Sequence, residues 1–352
     1  MNSPHLRMQL QCPLPQLDFD IVTMGHGSGG LLTNQLLDQV IMRGLSDKAA
    51  GERHDGALLN LTGPTAFTTD SFVVSPVFFP GGNIGDLAVN GTVNDLAMCG
   101  AIPEYLSLSL IIEEGLPLTE LWEIMLTIRS ASAQAGVRVV TGDTKVVERG
   151  KGDKLFINTT GVGTVHPRAN IGLGRVEVGD KIIVSGPLAQ HGMAIMAVRE
   201  GLEFDTAIES DTAPLNHAVR GLLDAFGTDV HLLRDPTRGG VATVLNEIAR
   251  DRRVGIDLVQ SGIAVDEPVA GACEILGLDP LYVANEGVFL AVVAAGVHQE
   301  VVDHLQTVGG QPQAAYLGEV TAEHSRQVVL TSGIGGRRVV NMLVGEQLPR
   351  IC

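Results

Sequence analysis

Residues 84–101 read IGDLAVNGTVNDLAMCGA. The spacing predicts a helix. Val89, Val93 and Leu96 make an apolar stripe, and Asp86, Asn90 and Asn94 fall at i, i+4 and i+8, with Asp95 adjoining. A solvated helix face normally carries Glu, Lys or Gln. Asn and Asp compete for backbone hydrogen bonds and weaken a helix, so a face built from them marks a site.

Strand and helix patterns alternate outward from this helix. Upstream, Phe19 to Thr23 predicts a short strand running into Gly25-His26-Gly27-Ser28-Gly29-Gly30. Leu32, Leu36, Leu37, Val40 and Ile41 then recur at helical spacing. A glycine loop that opens a helix offers bare N–H groups and a positive dipole end to an anion. Leu31 stands where a Walker A loop needs lysine. The loop matches GxGxxG, but a dinucleotide fold wants an acid closing the next strand about 20 residues on. Here Glu52 and Asp55 lie in a polar loop before the predicted strand Ala57 to Leu61. The segment from Thr65 to Pro80 is apolar except at Thr68-Thr69-Asp70-Ser71.

Downstream, Leu106, Leu108 and Leu110 alternate with serines, as in a strand with one wet face. Pro117 opens a helix with Leu118, Leu121, Trp122 and Met125 on its core side. A strand from Val137 to Val140 delivers Thr141-Gly142-Asp143-Thr144-Lys145, and another runs from Leu155 to Val165. Past His166-Pro167 the alternation restarts. Strand Lys181 to Val184 leads to a helix at 187–200, and strand His231 to Leu233 leads into Asp235-Pro236-Thr237-Arg238-Gly239-Gly240 and a helix. A third strand, Leu281 to Ala284, ends at Asn285-Glu286-Gly287. The expectation is an α/β (α+β) protein with an extended arm (1–18), an N-terminal domain (19–168), a C-terminal α/β domain (175–336) and a flexible tail (337–352).

Composition narrows the function. The chain has 352 residues, 45% of them apolar, 43 glycines and a formal charge of −16. That charge argues against a nucleic-acid or anionic-membrane partner, which needs clustered Lys and Arg. No stretch approaches the ~18 apolar residues of a membrane span, and the start lacks a signal-peptide pattern. Cys12, Cys99, Cys273 and Cys352 form no CxxC, which fits a reducing, cytoplasmic setting.

Asp55, Asp70, Asp95, Asp143 and Asp235 each lie near Gly, Ser, Thr or Asn, at expected element ends. One such aspartate is a cap or turn residue. Five, with glycine loops able to approach phosphates, fit hard cations held with a nucleotide. Carboxylate oxygens without Cys/His pairing indicate Mg²⁺ rather than Zn²⁺. Cys352 sits at the last position, on a tether anchored by Ser332, Gly333, Gly335 and Gly336. Its place excludes prenylation, which needs the cysteine four residues from the end.

The motifs GHGSGG (25–30), DGALL (55–59), TTDSFVV (68–74), GDLAVNGTVNDLAMCGA (85–101), GDTKVV (142–147), DPTRGG (235–240), NEG (285–287) and PRIC (349–352) stand in one order. In this the chain resembles the HypE family of hydrogenase maturation proteins. That family lies within the superfamily of aminoimidazole ribonucleotide synthetase, selenophosphate synthetase and thiamine monophosphate kinase. The resemblance covers nearly the whole chain. The aspartate motifs are shared across the superfamily, and PRIC is specific to the maturation proteins.

The resemblance implies a two-domain PurM-like fold whose N-terminal sheet pairs across a homodimer, with ATP and Mg²⁺ in a cleft. It also implies that a carbamoyltransferase loads Cys352 and that ATP-dependent dehydration turns the thiocarboxamide into a thiocyanate. An iron-binding scaffold complex would then accept the cyano group for a nickel–iron hydrogenase. On this reading Gly27, Ser28, Gly29, Gly30, Asn90, Asn94, Gly142 and Thr144 contact the nucleotide, and the five aspartates hold Mg²⁺. Glu286 is the preferred base. Lys145 either neutralises phosphate charge or, when desolvated, deprotonates the amide. His26 contacts phosphate or serves as a hydrogen-bond partner, and Arg238 binds phosphate or braces its loop. Two alternatives stay open. One is a related small-molecule enzyme such as a selenophosphate synthetase, for which Cys12 is the candidate reactive thiol. The other is a non-catalytic carrier that presents Cys352.

Overall fold

The computed structural model describes residues 19–46, 56–202, 207–343 and 351. Asp55, Cys12, Cys352 and the arm 1–18 lie outside them.

Asn83 starts the central helix. Its side-chain oxygen accepts from the Gly85 N–H at 2.7 Å, while Asp86 reaches back to the Asn83 N–H at 3.0 Å. This reciprocal cap satisfies donors that a helix start leaves orphaned. Asp86 of the expected polar face is therefore a capping residue, and burial pushes its pKa up to about 7. The helix, Ile84–Met98, is buried on almost every side. A helix without a wet face belongs in the middle of a molecule.

A first helix begins at Leu31–Leu36 and continues through a π-helical stretch, Leu37–Met42. We call it α1 and the central helix α2. The first sheet has strands β1 (Thr65–Phe72), β4 (Ala101–Glu113), β5 (Arg138–Val147) and β6 (Leu155–Val165) in the order β1-β6-β4-β5. Only β4 and β5 are parallel. The hairpin β2 (Phe78–Phe79) and β3 (Gly82–Asn83) precedes α2. Leu106, Leu108, Leu110 and Ile157 point inward, onto α2 and onto α3 (Leu118–Ala135). The other face keeps Phe67 69% exposed and Ile111 44% exposed.

The second sheet has seven strands, β7 (Lys181–Val184), β8 (Val230–Arg234), β9 (Gly255–Val259), β10 (Leu290–Val293), β11 (Ala315–Thr321), β12 (Val328–Thr331) and β13 (Arg337–Val340), in the order β13-β12-β9-β11-β7-β10-β8. At one end of it, β7, β10 and the edge strand β8 are buried on both faces. One side is covered by α4 (Gln190–Arg199), α6 (Gly240–Arg252) and α7 (Glu267–Leu276), the other by α5 (Asn216–Phe226) and α8 (His298–Thr307). Ala97 and Met98 of α2 enter the second of these cores, so the central helix belongs to both halves.

Several local expectations change. Phe19 to Thr23 makes only an isolated bridge, Ile21 to Pro117. Residues 57–61 have no ladder partner among the described residues. Residues 281–284 form no strand, because Asp279 accepts from the Leu281 N–H at 3.0 Å and caps a single turn, Pro280–Tyr282. The tail starts later than 337, since β13 (Arg337–Val340) pairs with β12 (Val328–Thr331) and buries Val340. Ile351, expected in a flexible tail, is only 6% exposed.

Candidate active site

Two polar clusters flank the first sheet. The larger is a cavity of about 790 Å³ between α1 and the β5 edge. Gly27, Gly29 and Thr33 form one lip, and Gly142, Asp143, Thr144 and Lys145 the other. Its floor is apolar, from Leu37, Ile41 and Leu108. At that floor the Ser132 hydroxyl, buried, has no hydrogen-bond partner among the described residues. An apolar slot with a few polar groups at its mouth is the usual form of a small-ligand site. Glycine at 142 is required by close packing, as a Cβ there would lie 2.2 Å from the Leu108 carbonyl oxygen. At position 27 a Cβ would meet Val146 at 2.8 Å, so Gly27 lets the loop lie on the strand edge.

Within this cluster some assignments change. His26 is buried, and its Nδ1 accepts from the Thr23 N–H at 3.0 Å. It closes its own turn, so its role is local, and burial lowers its pKa. Because Nδ1 accepts, the neutral ring carries its proton on Nε2. Ser28 donates to the Gly25 carbonyl at 2.8 Å, and Gly30 caps α1; neither lines the cavity. Asp143, Thr144 and Lys145 lie within β5 and not in a loop. Lys145 Nζ donates to both Asp143 oxygens, at 2.8 and 2.7 Å, and holds that carboxylate below its usual range. Both side chains are exposed, which suits charge neutralisation better than a desolvated amine base.

The second cluster surrounds a cavity of about 70 Å³ near the β1 edge. Asp70 comes from β1, Asp95 and Gly91 from α2, Asp235 and Arg238 from the turn before α6, and Glu286 from the loop before β10. Thr68 donates to Asp95 at 2.8 Å. Burial raises the pKa of Asp95, with Asp70 adding repulsion. Burial pushes Asp235 up to about 6, with Asp95 nearby. Glu286 is 3% exposed. Its pKa stands well above the ordinary value, through burial first and then Asp211, Asp235, Asp70 and Asp95. Its Oε1 has no hydrogen-bond partner among the described residues. Crowded, desolvated carboxylates favour either protons or a cation.

Asn94 is not available to a ligand in this arrangement. Its amide donates to the Ala213 and Glu286 carbonyls, and its oxygen accepts from the Leu215 N–H. Asn90 donates to Thr212 at 3.2 Å, and its oxygen has no partner among the described residues. The two asparagines instead fix residues 212–215 and the Glu286 loop to α2.

The aspartates are therefore divided. Asp70, Thr159, Leu108 and Gly142 are successive register partners across the sheet. Three interstrand steps put Asp143 roughly 14 Å from Asp70. Among the described residues no three His, Cys, Asp or Glu side chains are close enough to hold an ion unaided. Mg²⁺ does not demand that. It keeps several waters and binds through one or two carboxylates plus substrate phosphates. The all-oxygen donor set and the unsatisfied Glu286 oxygen fit such an ion.

Two further groups escaped the sequence reading. Asp211 accepts from the N–H groups of Glu286 and Gly287, between 3.1 and 3.3 Å. His191, at the start of α4, is fully buried, and its Nε2 lies 2.6 Å from the Ile351 carbonyl oxygen. The available signal was a lone histidine in an otherwise apolar helix.

Residues 53–165 match the N-terminal domain of AIR synthase related proteins, and residues 177–331 match the C-terminal domain. The carbamoyl dehydratase HypE of Azotobacter vinelandii is 47% identical over 332 residues, 94% of this chain and 97% of that protein. The chain belongs to the HypE carbamoyl dehydratase family. A crystal structure of a HypE in complex with ATP superposes with a TM-score of 0.89 at 43% identity, covering 94% of this chain and 99% of that one. HypE in a HypE–HypF complex gives 0.77 at 41% identity, covering 89% and 100%. The PurM-like fold and the enzyme class of the HypE family thus apply to this chain. No helix among the described residues is long and apolar enough to cross a membrane.

Proposed function

We propose that the protein dehydrates an S-carboxamide on its own Cys352 to a thiocyanate, at the expense of ATP, to supply cyanide ligands for the nickel–iron hydrogenase active site. The observation that carries this reading is the burial of Ile351. The residue before Cys352 packs in the same apolar cluster as Ala284, two positions before Glu286.

The thiocarboxamide oxygen is a poor leaving group. Attack of that oxygen on the γ-phosphoryl group releases ADP and leaves phosphate on carbon as an imidate-like ester, with loss of one N–H proton. Loss of the second N–H proton then expels phosphate and forms the C≡N triple bond. The sum is thiocarboxamide plus ATP giving thiocyanate, ADP, hydrogen phosphate and one proton. Glu286 suits the proton removals, because burial and four neighbouring carboxylates raise its affinity for a proton. Asp211 positions Glu286 through the loop backbone. Gly27, Gly29, Gly142 and Thr144 contact the nucleotide in the larger cavity, and Lys145 offsets phosphate charge. Asp70, Asp95 and Asp235 would hold Mg²⁺, which supplies neutralisation of phosphate charge when bound. Arg238 adds a fixed positive charge beside them.

A homodimer brings the two clusters together in this proposal. The exposed face of the first sheet, with Phe67 and Ile111, is the surface that pairs. A two-fold axis running along the strands stacks β5 of one protomer over β1 of its partner. The unit 19–168 then carries nucleotide binding and dimerisation, and the unit 175–336 supplies Asp235, Arg238 and Glu286. A carbamoyltransferase loads Cys352, in keeping with the HypE–HypF complex of a relative. An iron-binding scaffold complex takes the cyano group. The need for ATP and a reduced thiol suits the cytoplasm.

The test is a heavy-oxygen label in the carbamoyl group of the loaded protein. After one turnover with ATP the label is expected in inorganic phosphate. Label released as water would show that the oxygen never bonds to phosphorus and would defeat the mechanism.

A further inference from the structure

His191 lies outside both clusters just described and contacts neither cavity. It is nonetheless fully buried and fully bonded. Its Nδ1 lies 2.7 Å from Ser210 Oγ, its Nε2 lies 2.6 Å from the Ile351 carbonyl oxygen, and its ring meets Phe79 edge-on at 5.6 Å.

These contacts determine its tautomer. A backbone carbonyl only accepts, so Nε2 must carry the proton. Ser210 Oγ already accepts the Thr212 N–H at 3.1 Å, which leaves its own hydrogen for Nδ1. Ser210 is in turn held by its backbone N–H on the Pro80 carbonyl at 2.8 Å. The result is a neutral ring with one fixed donor aimed at the peptide that joins Ile351 to Cys352. Burial, which lowers the histidine pKa, favours the same neutral form.

We propose that His191, locked by Ser210, is the positioning residue that fixes the last peptide unit and so presents Cys352 to the Glu286 loop. The placement supports this from two sides. The Gly192 N–H donates to the Ala284 carbonyl at 3.1 Å, and the Ala189 N–H donates to Asn285 Oδ1 at 2.8 Å. Helix α4 is thereby tied directly to the loop that carries Glu286. Asp211 follows Ser210 in the chain and accepts the Glu286 N–H. One short segment, 210–211, thus braces both the latch and the base. The Ile351 side chain adds a second constraint, buried in the same apolar cluster as Ile195 and Ala284. The inference rests on the tail-directed reading above and adds the group that sets the tail's register.

The test measures access to the thiol, so it needs no ATP chemistry. The full-length protein is treated with iodoacetamide, and alkylation of Cys352 is followed in time by mass spectrometry of the C-terminal peptide. His191→Phe keeps an aromatic ring and removes the donor, and one net hydrogen bond corresponds to about 3- to 10-fold faster alkylation. His191→Gln, whose amide N–H can reach the same carbonyl, should restore the wild-type rate within about twofold. Ser210→Ala, in a half-buried loop, frees the tautomer and should shift the rate in the direction of His191→Phe even where the latter folds poorly. Equal alkylation rates in wild type, His191→Phe and Ser210→Ala overturn the proposal. A parallel single-turnover dehydration separates the two ideas. If wild type loses no water with ATP but the variants still alkylate faster, the latch stands and the chemistry is wrong. If wild type dehydrates and the variants match it in both assays, the chemistry stands and the latch is wrong.

Discussion

Glu286 combines near-complete burial, an oxygen with no partner among the described residues and four acidic neighbours. A purely structural acid would be expected to find a donor, because leaving a buried polar atom unpaired costs about 1–3 kcal/mol. The proposed role as a general base gives that cost a use, since it needs a strong proton acceptor. Glu286→Gln keeps the shape and removes the basicity, so single-turnover dehydration should fall by about 10²–10⁴, the range for a general base. Folding should survive, since the change removes a repelled charge. A rate within a few-fold of wild type would move the base elsewhere. The sequence pointed to Glu286 because it is the lone acid in an apolar run. It could not expose His191 or Asp211, whose partners Ile351 and the 286–287 amides lie 160 and 75–76 residues away. His26 shows the opposite case. Its glycine setting suggested chemistry, but three residues of local geometry use up its Nδ1.

Helix α2 sets the distances in the acidic cluster, and Gly91 sets how close it comes. A Cβ at 91 would lie 2.9 Å from two ring atoms of the buried Phe72 and 3.9 Å from Glu286 Oε2. Replacing glycine by alanine inside a helix normally gains up to about 1 kcal/mol. Overpacking a core costs about 1–3 kcal/mol, so at this position the clash wins. Gly91→Ala should lower stability in urea denaturation. Gly271→Ala, in α7 with open space around its Cβ, should raise it. Stabilisation by both changes would contradict the packing described for α2. This helix was legible because its period and its cap are local. The setting of Asp70 and Asp143 was not. Their Thr-, Ser- and Gly-rich neighbours read as turns, yet β-branched threonines also suit strands, and only pairing with β6 and β4 decides between them. Residues 337–340 were assigned to the tail for a related reason, since their partner β12 confers the strand.

At the scale of the whole molecule, the larger cavity, proposed to take the nucleotide, and the acidic cluster lie at opposite edges of one four-stranded sheet. A catalytic unit spread over two protomers predicts complementation. Asp143→Asn and Asp70→Asn should each be inactive alone. Dissociated and reassociated one to one, they should recover about a quarter of wild-type activity, because half the dimers are mixed and each mixed dimer holds one intact site. No recovery in a verified mixed dimer would place the whole site within one protomer. In the proposed mechanism the substrate is tethered to the chain. Tethering replaces a bimolecular encounter by an effective concentration that can reach the millimolar range, so weak contacts at Ile351 suffice to seat it. The most direct measurement is the mass of the C-terminal peptide from protein carbamoylated on Cys352, taken before and after ATP is added. Loss of one water that requires ATP and maps to Cys352 is the predicted result. An unchanged mass, an equal loss without ATP, or a modification on Cys12, Cys99 or Cys273 would contradict it.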